Sequence, residues 1–132
     1  FQKEVANRIV AKHGTKAYGR LSILAQWRCS VKISMNLPPE AFRPVPKVFS
    51  SVVSIFANDR PQFTANPLIL EKIVKSGFNQ RRKMLRSSLK KDNLNIEKIL
   101  LSSGIKSTLR AENLTISDWC NLARTIENYE NG

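Results

Sequence analysis

A chain of 132 residues with 42% hydrophobic content is long enough for one domain, or for a small domain with part of another. Its formal net charge of +12 is spread along its length, with ten Lys/Arg against three Asp/Glu in residues 1–64 and twelve against seven in residues 65–132, so it attracts a polyanion. No apolar stretch is long enough to cross a bilayer, and two distant cysteines with one histidine rule against a disulfide framework or a zinc cluster, which leaves nucleic acid in a reducing compartment as the expected partner.

The elements follow in chain order. Phe1 to Ala6 reads as a short strand, with a helical turn over Asn7 to Ala11. Gly14 and Thr15 break the chain, and His13 falls in that polar loop. From Ala17 to Arg28, the positions Leu21, Leu24, Ala25 and Arg28 keep the i, i+3, i+4, i+7 spacing, which predicts an amphipathic helix capped by Thr15. Val31, Ile33 and Met35 alternate with Lys32 and Ser34, which predicts a half-buried strand. Residues 37–47 then hold four of the six prolines, at 38, 39, 44 and 46. Each fixes φ near −65° and removes a donor, so the segment is expected to be a stiff extended loop, neither helix nor central strand. Val48 to Phe56 is apolar and β-branched and reads as a strand.

Phe42 sits in the proline loop beside Arg43, with Lys47 following. A ring held on a rigid loop among cations can stack on a nucleobase while its neighbours meet phosphate. The alternative is a ring that plugs a local core.

Asn58 to Pro67 is rich in turn residues and reads as a linker. Beyond it the chain turns helical. One helix is expected over Leu68 to Lys75, ending near Gly77. A second is expected over Phe78 to Lys90, with Phe78, Leu85 and Leu89 on one side and Lys83, Arg86 and Lys90 opposite. Arg81 falls inside the apolar arc, so it must snorkel or find a carboxylate. A third starts after Asn95 and stops at Gly104. The last has the clearest start: Thr115 and Asp118 form a capping box, Leu114 and Trp119 a hydrophobic staple, and Trp119, Leu122, Ala123 and Ile126 a buried stripe.

The densest charge lies at Arg81, Arg82 and Lys83, with Arg86, Lys90 and Lys91. No carboxylate stands at i±4 to Arg82, Lys83 or Arg86, so intrahelical ion pairs do not account for them, and arginine suits phosphate. Arg8, Arg20, Arg43, Lys47 and Arg110 are further candidates. No Ser–His–Asp or Cys–His set, paired carboxylates or glycine-rich phosphate loop is visible.

Four strings together resemble the small-subunit ribosomal RNA adenine dimethyltransferase family. They are Gln2-Lys3-Glu4-Val5-Ala6 with Tyr18-Gly19-Arg20-Leu21-Ser22; Phe42-Arg43-Pro44-Val45-Pro46-Lys47-Val48 with Ser51-Val52-Val53; Phe78-Asn79-Gln80-Arg81-Arg82-Lys83 with Leu85-Arg86; and Arg110-Ala111-Glu112-Asn113-Leu114. Met84 and Ser87 depart from the Thr and Asn usual in the basic string.

The resemblance implies an α/β plus α chain: the last strands and helix of a Rossmann-like methyltransferase sheet over residues 1–58, a linker at 59–67 and a helical rRNA-binding subdomain over 68–132. It implies transfer of methyl groups from S-adenosylmethionine to the exocyclic amines of two adjacent adenines in a 3′-terminal hairpin of small-subunit rRNA. Phe42 would stack on the target base. Arg81, Arg82 and Lys83 would face rRNA on a helix, with Arg8 and Arg110 in other basic motifs. The family's cofactor loop, ribose-binding acid and catalytic motif lie upstream of Gln2, so this chain is expected to be the C-terminal part of a cytoplasmic, monomeric enzyme and to bind no S-adenosylmethionine, metal or membrane itself. Asn36-Leu37-Pro38-Pro39 imitates the catalytic motif but lacks its aromatic fourth residue. The competing readings are a non-catalytic RNA-binding module and a macrolide-resistance relative acting on large-subunit rRNA.

Overall fold

The computed structural model describes residues 1–45, 47 and 49–131. The chain folds as two compact units, one of residues 1–12 and 17–62, the other of residues 13–16 and 63–132.

The first unit begins with α1 (Lys3–Val10), not with a strand. Ala6 and Ile9, one helical step apart, are buried, and Glu4 pairs with Arg8 at 2.8 Å across one turn. That i, i+3 and i, i+4 pattern outweighs the strand reading of Phe1 to Ala6. Only the first residues keep extended pairing, through a bridge from Gln2 to Ser50. α2 (Arg20–Arg28) starts three residues later than its sequence suggests. Thr15 does not cap it; the Ser22 hydroxyl instead accepts from the Gly19 N–H at 3.1 Å and donates to the Arg8 carbonyl. The buried face is also different. Ser22, Ile23 and Trp27 face inward, while Leu21 is 44% exposed. Apolar residues ring this helix, so spacing alone does not choose the face; packing against α1 does. Gln26 fixes that packing by donating to the Ile9 and Ala11 carbonyls, at 2.9 and 2.8 Å, where α1 runs out of intrahelical partners.

β1 (Cys29–Leu37) and β2 (Ser50–Ala57) form an antiparallel pair, from Cys29 opposite Ala57 to Leu37 opposite Ser50. The alternation of Val31 and Ile33 holds, but the register slips between Ile33 and Met35, and Met35 turns out to solvent. Val48, placed in the second strand by its sequence, lies outside the described residues, as does Pro46.

The second unit opens with α3 (Pro67–Asn79), which Asn66 caps by accepting from the Leu68 N–H at 3.0 Å. The helix does not stop at Gly77. That glycine is buried within the last turn of the helix, where a Cβ would lie 2.8 Å from Trp119 Cη2. Its helix penalty is the cost of close approach. The expected helix over Phe78 to Lys90 is absent as one piece. α3 ends at Asn79, Gln80 leaves the helical region (φ −124°, ψ 58°), residues 80–83 make a turn, and Met84 is extended before the single turn α4 (Leu85–Ser88). Hydrogen bonds from the Leu85 and Arg86 N–H groups to the Leu109 and Ser107 carbonyls, at 2.7 and 3.1 Å, hold α4 to a distant stretch of chain.

α5 (Ile96–Ser102) ends at Gly104 as expected. Gly104 has φ +72°, its N–H reaches the Leu101 carbonyl, and Ile105 N–H reaches Leu100, both closing the helix end. α6 (Ile116–Asn131) begins with the predicted box: Asp118 N–H donates to Thr115 Oγ1 at 3.1 Å, and Thr115 N–H to Asp118 Oδ2 at 3.0 Å. Its stripe of Trp119, Leu122, Ala123 and Ile126 is buried, with Cys120 beside it. Thr115→Ala is expected to cost about 1 kcal/mol, which lowers a thermal midpoint read by circular dichroism by about 4–8 °C.

Candidate nucleic-acid interface

In the first unit the proline loop is built around one short turn. Pro39 to Ala41 form a 3-10 turn, so the loop is not extended throughout. Proline is at home in the first positions of such a turn, where its missing N–H has no partner to lose. The Ala41 and Phe42 N–H groups reach the Pro38 and Pro39 carbonyls at 3.0 and 3.2 Å. Phe42 emerges directly from that turn, and the residue is 36% exposed, so it is not fully buried in a core. Arg43 and Lys47 beside it are exposed, and the Arg43–Pro44 bond is cis. Leu37, placed in the loop by its prolines, ends β1.

Arg20 opens α2 and is exposed. Arg8 is exposed at the end of α1 and pairs with the equally open Glu4. Exposed pairs of this kind are worth only about 0.3–0.5 kcal/mol, so Arg8 remains available to a stronger anion. Two cation–aromatic contacts escape sequence reading. Lys3 Nζ lies 6.0 Å from the Phe49 ring centre and the Arg28 guanidinium 4.7 Å from that of Trp27. The second was foreshadowed only by adjacency of the two residues.

In the second unit the basic string sits on a turn, not on a helix, and its members separate by role. Arg81 is half-buried. Its Nη2 donates to the Thr15 and Lys16 carbonyls at 3.1 and 2.9 Å and lies 3.7 Å from Glu112 Oε2, and its guanidinium stands 5.4 Å from the Phe78 ring centre. The carboxylate that its sequence position demands is therefore Glu112. The same stretch is tied again by the Gly14 N–H, which donates to the Glu112 carbonyl at 2.6 Å. Arg82, Lys83, Arg86 and Arg110 are exposed, and none makes an ion pair among the described residues. Arg86 shares a shallow hollow of about 240 Å³ with Lys90, Ser87 and Glu97. Unpaired guanidinium groups on a turn can fork onto phosphate oxygens without first giving up a partner.

Catalytic groups are not gathered here. Burial pushes the Cys120 thiol up to about 11 despite nearby Arg124, so at neutral pH it stays a protonated core side chain. No three His, Cys, Asp or Glu side chains cluster among the described residues. Gly14 and Gly104 stand in separate turns, and the space beside Gly77 is filled by Trp119, so these glycines do not share a loop. Among the described residues no helix is long and apolar enough to cross a membrane.

A family model described as ribosomal RNA adenine dimethylase matches residues 1–128. The chain belongs to that family. Among relatives of this chain, the proteins named ribosomal RNA small subunit methyltransferase A from Roseobacter denitrificans and Paracoccus denitrificans are each 56% identical over 126 residues. The matches take in 96% of this chain and 45% of those proteins, so the chain spans less than half the length of the curated relatives it matches. A solved dimethyladenosine transferase from Plasmodium falciparum has the same fold over 98% of this chain and 56% of its own, at a TM-score of 0.81 and 23% identity. The 23S rRNA methyltransferase ErmE follows at 0.60 and 19%, over 96% of this chain and 52% of its own.

Proposed function

We propose that these 132 residues are the target-holding part of a ribosomal RNA adenine dimethyltransferase. It would act on two adjacent adenines in a 3′-terminal hairpin of small-subunit rRNA in the cytoplasm, with S-adenosylmethionine as methyl donor. The donor is held by residues outside this chain. Residues 1–58 supply the last strands and helix of a larger Rossmann-like sheet, and residues 68–132, after a linker at 59–67, supply helices that grip rRNA. Two facts about the first unit support its being part of something larger. A two-stranded sheet is marginal alone in water, and Met35, Val52, Ile55 and Phe56 of this one are exposed, Phe56 by 64%.

The observation that carries the reading is the partly exposed Phe42, presented by a short proline-started turn beside exposed Arg43. A base-modifying enzyme must take its target out of the helical stack and needs a surface to receive it. Phe42 provides that surface, while Arg43 and Lys47 meet the flanking phosphates. The amine that accepts the methyl group belongs to the base, so no general base is asked of this chain. The names carried by relatives at 56% identity favour small-subunit rRNA over the large-subunit alternative.

The test is Phe42→Ala in the methyltransferase that contains this chain. Stacking on an aromatic side chain is worth about 1–3 kcal/mol per base. Methylation of small-subunit rRNA, followed by primer extension, is expected to fall by about 5- to 150-fold, well beyond any loss of RNA affinity. Unchanged methylation would refute the role, and primer-extension stops on large-subunit rRNA would favour the macrolide-resistance alternative.

A further inference from the structure

The connection between α1 and α2 leaves the unit of its neighbours. Residues 1–12 and 17–62 fold together, but residues 13–16 fold with the helices of the second unit. Two sets of bonds hold them there. Arg81 Nη2 donates to the Thr15 and Lys16 carbonyls, and the Gly14 N–H donates to the Glu112 carbonyl. Gly14 has φ +82°, and beyond its chain neighbours no atom lies within 4 Å of where a Cβ would stand, so this glycine serves the turn and not a close approach. Its bond to Glu112 does not involve the guanidinium, which gives the loop an anchor independent of Arg81.

Three stretches of chain are thereby bonded pairwise. Residues 13–16 are tied to Arg81 and to Glu112, and residues 85–86 to 107–109 through the Leu85 and Arg86 N–H groups. Across 13–16, 81–86 and 106–112 stand Lys16, Arg81, Arg82, Lys83, Arg86, Lys106 and Arg110 against one carboxylate, Glu112, which faces Arg81. All of these cations but Arg81 are exposed, and the exposed ones make no ion pair among the described residues. Like charges gathered by backbone bonds repel one another, and a polyanion laid across them relieves that repulsion. The matching family model is that of an RNA dimethylase, which favours RNA over an acidic protein as the polyanion. We propose that the 13–16 loop and the 106–112 stretch complete one phosphate-binding face with the basic turn, in which Lys16 and Lys106 each meet a phosphate of the RNA. The proposal rests on the reading that the helical unit grips rRNA, and adds two contacts to it.

Filter binding of small-subunit rRNA to the methyltransferase that contains this chain, at four salt concentrations, tests it. Each phosphate contact contributes about 0.7–0.9 to the slope of log affinity against log salt. Replacing Lys16 and Lys106 together by Ala is expected to flatten that slope by about 1.4–1.8 and, at 0.1 M salt, to weaken binding by about 25- to 60-fold. Replacing both by Arg, which keeps the charge, is expected to leave the slope at the parent's value. Lys72→Ala with Lys98→Ala removes the same charge from exposed positions of α3 and α5 and is expected to move the slope by less than half a unit. A slope within half a unit of the parent's for the Lys16 and Lys106 pair, while glutamates at 82, 83 and 86 flatten it, would overturn this proposal alone. An equal loss from the Lys72 and Lys98 pair would also overturn it, because the effect would then belong to diffuse charge. If neither the Lys16 and Lys106 pair nor the three glutamates move the slope, the reading of the helical unit as an rRNA grip fails, and the proposal with it.

Discussion

Trp119→Ala is expected to cost the helical unit about 3–5 kcal/mol, the largest loss of stability from any single truncation in it. The indole is wholly buried, stands 6.0 Å centre to centre from the Phe78 ring, and fills the space that Gly77 leaves open. Removing it empties the region between α3 and α6, and neither helix can move in without breaking the capping box of α6 or the seat of α3. For a unit of this size the thermal midpoint should fall by at least about 12 °C, followed by circular dichroism at 222 nm. Trp119→Phe is the control. It keeps most of the apolar volume and deletes an indole Nε1–H that is buried without a partner among the described residues, so its cost should be well under half. Gly77→Val attacks the same contact from the other side, because a Cβ already meets Trp119 at 2.8 Å and branching adds to the clash. A shift of less than about 4 °C for Trp119→Ala, near the effect of one kcal/mol, would mean that the unit's core is centred elsewhere.

The legible parts of this chain are those whose signals are local. The Thr115–Asp118 box, the Gly104 stop and the buried stripe of α6 lie within a few residues of what they determine, and the structure repeats them. The Phe78 to Lys90 segment fails for the opposite reason. Asn79-Gln80-Arg81-Arg82-Lys83 contains no proline or glycine, and Phe78 and Leu85 are seven apart, so its helical period is genuine. The break is imposed from afar, by the carbonyls of Thr15, Lys16, Ser107 and Leu109, which claim Arg81, Leu85 and Arg86. Gly77 misleads in another way: glycine ends a helix or admits a neighbour, and only the facing indole shows which. In α2, Leu21, Ile23, Leu24 and Trp27 ring the helix, so its buried face had to be chosen by α1. At the candidate interface, the prolines left open whether Phe42 is exposed or plugs a local core, and the structure leaves the residue 36% exposed. That Arg81 differs from its neighbours was foreshadowed by its place in an apolar arc, but its partners, 31 to 66 residues away in sequence, were not.

That division within the basic string makes the second large prediction. Arg82, Lys83 and Arg86 are exposed and make no ion pair among the described residues, so each can neutralise one phosphate and release its counterions. Replacing all three by Glu should flatten the slope of log affinity against log salt by roughly 2–3 units, since each contact contributes about 0.7–0.9. At 0.1 M salt the same relation puts the loss of affinity for a small-subunit rRNA hairpin on the order of 10²-fold. Arg81→Ala should behave differently despite removing the same charge. Its guanidinium is already bound to the Thr15 and Lys16 carbonyls and faces Glu112, so its loss frees three acceptors of the protein and no phosphate. The melting temperature should drop while the salt slope stays within half a unit of the parent's. Fluorescence anisotropy of a labelled hairpin at four salt concentrations, with a thermal melt of each variant, reads both quantities. If the triple variant keeps its slope, the exposed cations do not face RNA. If Arg81→Ala loses a full unit, the guanidinium lets go of its carbonyls when RNA arrives, and its role as an internal clamp is wrong.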